Sequence, residues 1–181
     1  MSRPVPLRKR PGDWVLLGFF WFNLLVITYT FDLEQVVIAD VNHFSYPLWP
    51  PGFIIDLAHW WGRQFDPLLA ARPVWWKATI WIDLLCFGPF YAAAIYAFTK
   101  GKEWIRVPAI LWAAVMMTNV TIILSEEAFG PFASPALAAV VAANASWLLF
   151  PILVMIRVTR RPQLFVPAAT ASSGAAAALP G

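Results

Sequence analysis

Carboxyl side chains within apolar stretches are the most informative chemical feature of this sequence. Asp83 lies eight residues into the stretch 75–98, which is long enough to cross a bilayer. At about 1.5 Å per residue, it lies roughly 12 Å along a helix. A charge at that depth costs about 2.5–3.5 kcal/mol on insertion scales, so the carboxyl group must face a bundle interior or a water-filled cavity. Asp83 therefore marks a candidate functional site. The alternative is an uncharged Asp that only hydrogen-bonds a neighbouring helix.

Six further side chains lie inside the apolar stretches or just beyond their ends. They are Asp32, Asp66, Asn119, Glu126, Asn144 and Trp147. Asn144 and Trp147 are three residues apart and therefore share one face of a helix. Pro151 removes the donor that would bond the Trp147 carbonyl, so we expect a kink there. Kinks of this kind open pockets between helices, which makes these side chains candidates for ligand binding.

Several carboxyl groups around one cavity of low dielectric constant cannot all ionise, because burial and mutual repulsion disfavour the charged form. Such a site holds both a proton donor and an anion. It suits a lipophilic amine, since the anion pairs with the ammonium and aromatic faces add cation–π attraction. It also suits double-bond isomerisation, with Asp32, Asp83 and Glu126 as catalytic candidates that add and remove protons. The structural alternative is that Asp32 and Asp66 cap helices and Asn144 bonds another helix.

Composition indicates the class of protein. Apolar residues make up 60% of the chain and charged residues 13%, against about a quarter charged in soluble domains. The basic residues flank apolar stretches and form no solvated stripe, so we expect no nucleic-acid partner. Cys86 is the single cysteine, which excludes an intrachain disulfide. His43 and His59 lack neighbours at metal-ligand spacing; we interpret both as interfacial side chains and expect neither a metal nor another cofactor.

Four apolar stretches are long enough to be membrane spans, which need about 17–25 residues. They are residues 14–31, 75–98, 107–124 and 135–156. The sequence therefore predicts an all-α integral membrane protein, a bundle of four transmembrane helices. No small-residue cleavage site follows the first stretch, so we interpret it as a retained anchor. Residues 53–65 are amphipathic and predict a short interfacial helix between the first two spans. We expect one membrane domain over residues 1–161 and a disordered low-complexity tail over 162–181.

The charges on the two sides of the predicted bundle differ. Ten of the thirteen Lys and Arg residues fall on one side, namely Arg3, Arg8, Lys9, Arg10, Lys100, Lys102, Arg106, Arg157, Arg160 and Arg161. The opposite side collects acidic residues, namely Glu34, Asp40, Asp56, Glu126 and Glu127. The positive-inside rule then predicts a multi-pass protein with both termini in the cytosol. We expect the endoplasmic reticulum for a eukaryotic chain and the inner membrane for a bacterial one.

Five short motifs follow one another at characteristic spacings. They are Asp66-Pro67-Leu68-Leu69, Trp75-x-Lys77, Gly88-Pro89, Tyr96-Ala97-Phe98-x-Lys100-Gly101 and Trp104-Ile105-Arg106-x-Pro108-Ala109-Ile110. Together they resemble the sigma-2 receptor family of EXPERA-domain membrane proteins, across residues 14–161. Residues 144–151 (NASWLLFP) resemble the last-helix signature of the emopamil-binding proteins, the sterol Δ8–Δ7 isomerases of the same superfamily. Residues 124–126 resemble the exit of their third helix.

The resemblance implies a four-helix fold whose cavity opens laterally to the membrane and binds sterols or lipophilic amines. By position, Asp32 would pair with a ligand amine and Asp66 would be its partner carboxylate. Asp83 takes the place of a buried Glu of the family. Asn144 and Trp147 match polar and aromatic pocket residues of the isomerase, and these five, with Asn119, form the predicted ligand-binding set.

One departure from the isomerase pattern concerns its chemistry. The isomerase carries a His and a Glu four residues apart in the helix that matches the first span. Here the acid position is Asp32 and the residue four positions earlier is Thr28. A proton donor is therefore missing, which puts isomerase activity in doubt.

Three functions stay open at this point. The leading hypothesis is a membrane protein that binds a sterol-like or terpenoid lipid, or a lipophilic amine. The second is a double-bond isomerase working by proton addition and removal. The third is a structural or chaperone-like membrane partner whose polar residues only hold the bundle together. The expected partners are thus a small lipophilic ligand and membrane lipid, and a homodimer is left open.

Overall fold

The chain folds into a helical bundle. The computed structural model describes residues 4–166, which contain no β-strand. The main helices are α1 (Pro11–Val37), α2 (Gly52–Gln64), α3 (Pro67–Ala71), α4 (Val74–Lys100), α5 (Glu103–Phe129) and α6 (Leu137–Thr159). Four of them, α1, α4, α5 and α6, are long and apolar enough to cross a membrane. The predicted four-helix membrane bundle is therefore confirmed, with α2 between its first two spans. The predicted disordered tail lies outside the described residues from residue 167 onward.

The membrane helices extend beyond the apolar stretches that predicted them. The first span runs from Pro11 to Val37 instead of 14–31, so it includes Asp13 and Glu34. The predicted span ended at its flanking charges, Asp13 and Asp32, whereas the folded chain continues the helix past them and pairs Asp13 and Glu34 with cations from distant segments. Asp13 accepts hydrogen bonds from Arg157 at 2.7 and 3.1 Å. Because its charge is paired in this way, the helix can begin before the apolar stretch does.

Aromatic rings fill the half of the bundle nearer the basic end. Phe20 is completely buried at the centre of this core. Its ring contacts those of Phe19, Phe90, Tyr91, Phe98 and Trp112 at centroid distances of 5.7–6.1 Å. Aromatic pairs at such distances stabilise beyond their buried area. This packing fills the bundle centre around Phe20, and the central cavity lies in the other half.

Wide, π-type turns interrupt the two helices that face each other in that other half. They occupy Asn23–Asp32 of α1 and Asp83–Phe87 of α4. Such turns are rare and often occur at functional sites. Across this contact the Thr28 hydroxyl donates a hydrogen bond of 2.5 Å to Asp83 Oδ1. The turns therefore bring side chains of α1 and α4 together in the apolar interior.

The last membrane helix is interrupted at Ala145, about one and a half turns before Pro151, where a kink was expected. Residues Leu137–Asn144 and Ser146–Thr159 form two helical parts that meet at Ala145. Pro151 lies inside the second part, where helical geometry continues. Its ring crowds the preceding turn, and the helix opens where Asn144 faces the centre of the bundle. The interruption at Ala145 is thus a break that the sequence did not predict, while the kink at Pro151 stays a prediction.

A buried ion-pair network joins the end of α1 to α2 and to the link between α3 and α4. Arg72 donates to both Glu34 oxygens at 2.9 and 2.8 Å and to the Ile38 carbonyl at 2.9 Å. His59 Nε2 lies 2.8 Å from Glu34 Oε1. All three side chains are buried within the protein, and the interfacial depth of His59 in the membrane stays a prediction. The network holds α2 and α3 against the bundle.

The loop between α1 and α2 covers this network. The Phe44 ring meets the His59 ring edge-on at 4.9 Å. The Tyr46 hydroxyl donates to Asp56 Oδ1 at 2.6 Å, and this hydrogen bond raises the pKa of Tyr46. Trp49 Nε1 donates to the Tyr29 carbonyl at 2.7 Å, which ties the loop back to α1.

We predict that Arg72→Met destabilises the fold, because it leaves Glu34 buried without its cation. Breaking a buried ion pair from one side costs about 3–5 kcal/mol. The measurement is the thermal unfolding midpoint of the purified protein in detergent. Arg63→Met is the matched control, because Arg63 is exposed on α2. Equal midpoints for the two variants would contradict the role given to the network.

Candidate functional site

A cavity of about 310 Å³ lies in the half of the bundle away from the aromatic core. All six helices contribute to it, Asp66 from the residue that precedes α3. Its apolar lining consists of Ile27, Phe31, Ala58, Trp61, Leu69, Trp76, Ile80, Phe87, Met116, Val120, Ile123 and Ala143. The polar lining consists of Asp32, Gln35, Asp66, Thr79, Asp83, Asn119, Asn144 and the indole of Trp147. The structure thus brings all six predicted ligand-binding residues together around one space.

Three of the lining side chains are carboxyl groups, Asp32, Asp66 and Asp83. No Lys, Arg or His of the described chain lines the cavity with them. The cavity therefore differs from the two ends of α1, where Arg side chains pair with the buried carboxylates of Asp13 and Glu34. A site with three acids and no resident cation can accept a cationic group or hold an exchangeable proton.

The three carboxyl groups differ in how firmly the protein holds them. Asp83 accepts the 2.5 Å hydrogen bond from Thr28, and Asp66 accepts one of 2.7 Å from the backbone N–H of Leu69. Asp32 has a single long contact, 3.4 Å from Gln35 Nε2 to its Oδ1. Its oxygens are consequently the least occupied by the protein. Asp66 both caps α3 and lines the cavity, whereas Asp32 lies within helical turns and caps nothing.

Asn144 and Trp147 contribute from the interruption in α6. Asn144 Nδ2 donates to the Val140 carbonyl of its own helix at 3.0 Å, so this amide does not join two helices there. Trp147 Nε1 donates to Asn23 Oδ1 on α1 at 2.8 Å. Because that bond uses the indole N–H, Trp147 can contact a ligand only through the face and edge of its ring.

Several contributing residues were not singled out by sequence analysis. Trp76 Nε1 donates to Gln35 Oε1 at 2.5 Å, and the Gln35 amide also reaches Asp32. This chain of contacts orients the least occupied carboxyl group from the side of α4. The signal available in the sequence was the spacing of Asp32 and Gln35, three residues apart and hence on one helix face. Thr28 was noted only as the place of a missing His, although it bonds Asp83.

Glu126, one of the three catalytic candidates, does not line the cavity. Its Oε1 accepts a hydrogen bond of 3.2 Å from the Phe132 backbone N–H beyond α5. The neighbouring Glu127 is buried instead, and neither of its carboxyl oxygens has a hydrogen-bond partner of acceptable geometry within residues 4–166. Within those same residues, no group of three His, Cys, Asp or Glu is arranged to hold a metal ion.

Comparisons with known proteins agree with this architecture. The model of the EXPERA (EXPanded EBP superfamily) family matches residues 53–158. The chain is 32% identical over 171 residues to Sigma intracellular receptor 2 of Homo sapiens, covering 87% of this chain and 92% of that protein. It is 36% identical over 130 residues to the protein of that name from Macaca fascicularis, covering 71% and 69% respectively. For the Xenopus tropicalis protein the identity is 30% over 162 residues, covering 83% and 90%.

The family match contains every cavity-lining residue of α2, α3, α4, α5 and α6, and the human and frog relatives extend over most of the chain. The resemblance derived from the motifs is thereby confirmed: this protein belongs to the EXPERA family.

Proposed function

We propose that the protein binds a small lipophilic ligand in this cavity, either a lipophilic amine or a sterol-like or terpenoid lipid. The observation that carries the proposal is the lining itself, three carboxyl groups with no resident cation and otherwise mainly apolar and aromatic walls. A buried carboxylate without a partner is costly. A ligand ammonium that enters such a site supplies the missing countercharge, while the walls accommodate its apolar part.

Asp32 is the side chain we propose as the ionic anchor. Asp66 and Asp83 are already engaged by short hydrogen bonds, whereas Asp32 has only the long contact with Gln35. The aromatic side chains nearby, including Trp147, add cation–π attraction for an ammonium. For a neutral sterol, the same carboxyl and amide groups would receive or donate a hydrogen bond to a hydroxyl group.

Two further facts support ligand binding over a purely structural role. The cavity volume of about 310 Å³ falls at the lower end of the range of small-molecule sites, about 300–1,000 Å³. The three named relatives are called receptors, a name that implies a ligand for those proteins. A bundle whose polar residues served only to join helices would pair them with each other, whereas Asn144 bonds its own helix and Asp32 is left nearly free.

We predict that Asp32→Asn weakens the binding of a lipophilic amine far more than that of a neutral sterol. Removing one member of a buried charged pair typically costs about 2–5 kcal/mol. This corresponds to a loss of amine affinity of at least about 30-fold. The measurement is radioligand or fluorescent-ligand binding to membranes that contain equal amounts of each variant. Asp56→Asn is the control of equal charge change, because Asp56 is exposed on α2 and does not line the cavity.

Two results would count against this role of Asp32. An unchanged amine affinity would remove Asp32 from the site. Equal losses for amine and sterol would show that the substitution damages the fold.

A double-bond isomerase is the second candidate, favoured by the presence of several carboxyl groups beside the Trp147 ring. One protonated carboxyl group would add a proton to the alkene, and an ionised one would remove a different proton. The ring would stabilise the intermediate cation. The Thr28 hydroxyl, however, is a poor proton donor in the place of an imidazole. General acid–base catalysis contributes about 10²–10⁴-fold, so its loss leaves little activity.

We predict little or no Δ8-to-Δ7 sterol conversion by the purified protein, despite measurable sterol binding. Turnover in deuterated water is the test, because the product of proton addition and removal retains deuterium. Thr28→His would restore the missing donor and should increase any activity found. Robust conversion by the unmodified chain, abolished by Asp83→Asn or Trp147→Ala, would establish the isomerase in place of the binder.

The orientation of the bundle is also a proposal, supported by the charge asymmetry of the connecting segments. We propose a membrane domain over residues 1–161 with both termini in the cytosol, in the endoplasmic reticulum of a eukaryote or the inner membrane of a bacterium. The structure joins several basic segments at one end, since Arg10 bonds the Phe98 carbonyl and Arg106 the Arg161 carbonyl.

We predict opposite accessibilities for two single cysteines placed in a Cys86→Ala background. Lys102→Cys lies at the basic end and Ser45→Cys in the loop after α1, and both positions are exposed. A membrane-impermeant maleimide added to sealed vesicles whose cytosolic face points inward should label Ser45→Cys and spare Lys102→Cys until the vesicles are opened. The reverse pattern would contradict the proposed orientation.

A further inference from the structure

A second cavity lies at the basic end of the bundle, between the start of α1 and the end of α6. Its volume is about 580 Å³. Five of its lining residues are cations, namely Lys9, Arg10, Arg157, Arg160 and Arg161. Asp13 is the single carboxylate that lines it, so four positive charges are in surplus. This basic cavity shares no residue with the acidic cavity described above.

The inner wall of the basic cavity is held in place by contacts from four segments of the chain. Asp13 is buried and accepts hydrogen bonds from both Arg10 and Arg157. Arg10 also donates to the Phe98 carbonyl at 2.8 Å. Both guanidinium groups lie over the Phe165 ring, at 4.8 and 5.4 Å from its centroid. The wall therefore exists before any ligand binds, with two cations sharing one carboxylate.

The remaining three cations have no such partner. The side chains of Lys9, Arg160 and Arg161 form no hydrogen bond or ion pair with any other residue between 4 and 166, and all three are exposed. Like charges gathered around one cavity make its electrostatic potential positive, and this attracts an anion even though water and salt screen each charge. The opening of the cavity is thus built for a ligand with several negative charges.

Apolar side chains continue the cavity along the membrane-spanning surface. Leu16 is buried, while Val15, Leu153 and Ile156 are 58%, 38% and 36% exposed. They lie on α1 and α6, one or two turns inside the cations. A soluble anion would contact only the cations, whereas a phospholipid places its phosphate beside the cations and its acyl chains against these side chains.

We propose that the basic cavity binds an anionic phospholipid whose headgroup carries more than one negative charge. Its phosphate groups lie among Lys9, Arg160 and Arg161 at the opening, with Arg157 behind them. Its acyl chains cover Val15, Leu153 and Ile156. The lipid thereby joins the first and last membrane helices at the end opposite the acidic cavity, and this binding does not depend on what the acidic cavity holds.

The test is native mass spectrometry of the full chain in detergent, with phosphatidylinositol 4-phosphate and phosphatidylcholine added in equal amounts. The intact protein should retain the anionic lipid preferentially. Arg160→Gln with Arg161→Gln should weaken that retention about 10- to 30-fold without affecting phosphatidylcholine. These side chains are exposed and outside the Asp13 network, so the fold is not at risk. Lys100→Gln with Lys102→Gln is the control, an equal charge change at exposed positions of the same end.

Each other outcome overturns the proposal. Equal losses in the two double variants would show that the lipid responds to the general charge of the surface. Equal retention of the two lipids by the unmodified chain would show no anion site. The deacylated headgroup, glycerophosphoinositol 4-phosphate, should fail to displace the lipid at equal concentration. If it displaces the lipid fully, the site recognises a soluble phosphate ester and not a membrane lipid.

Discussion

Burying a carboxyl group in an apolar bundle is the constraint on which this structure depends. Each buried acid needs a cation or hydrogen-bond donors, since desolvating a charge costs several kcal/mol. At the two ends of α1 the solution is an ion pair: Asp13 with Arg157, and Glu34 with Arg72. Both pairs join segments far apart in sequence and fix the helices at their ends. In the middle of the bundle three more carboxyl groups line a cavity without a cation among the described residues, and the proposed binding site rests on this difference.

The position of that site follows from how the two halves of the bundle are packed. Large rings around Phe20 fill the centre of the half nearer the basic end, so the acidic cavity does not extend into it. In the other half, wide turns at Asn23–Asp32 and Asp83–Phe87 and the interruption at Ala145 remove regular packing from three of the four spans. Helices that cannot interdigitate leave space, and Asp32, Asp83 and Asn144 from these irregular segments line it. The same irregularities thus create the cavity and supply its chemistry.

Much of this arrangement could be predicted from the sequence, because bilayer thickness fixes span length and a polar residue in a span must face inward. That reasoning identified Asp83, Asn119 and Asn144, all of which line the cavity. It could not find the partners of Glu34, since Arg72 lies 38 residues away and His59 lies 25 away. The limits of the first span were set at its flanking charges, Asp13 and Asp32, which shortened α1 at both ends. The buried face of α5, which includes Met116 and Val120, continues at helical spacing to Glu127 and not to Glu126. The choice between these two acids was therefore contained in the sequence but was not drawn from it.

The pairing of Thr28 with Asp83 bears on the choice between binding and catalysis. A catalytic acid has to release its proton to the substrate and then recover it. This requires a group whose pKa is close to the working pH. A threonine hydroxyl does not ionise near neutral pH. Here the Thr28 hydroxyl donates a 2.5 Å hydrogen bond to Asp83. That hydrogen bond holds the Asp83 carboxyl group in one position. A fixed carboxyl group suits the proposed binding of a ligand. Asp32, by contrast, has only one long contact with the protein and is left to interact with whatever enters. The cavity is therefore better arranged to hold a cationic or hydroxyl-bearing ligand than to move protons within one.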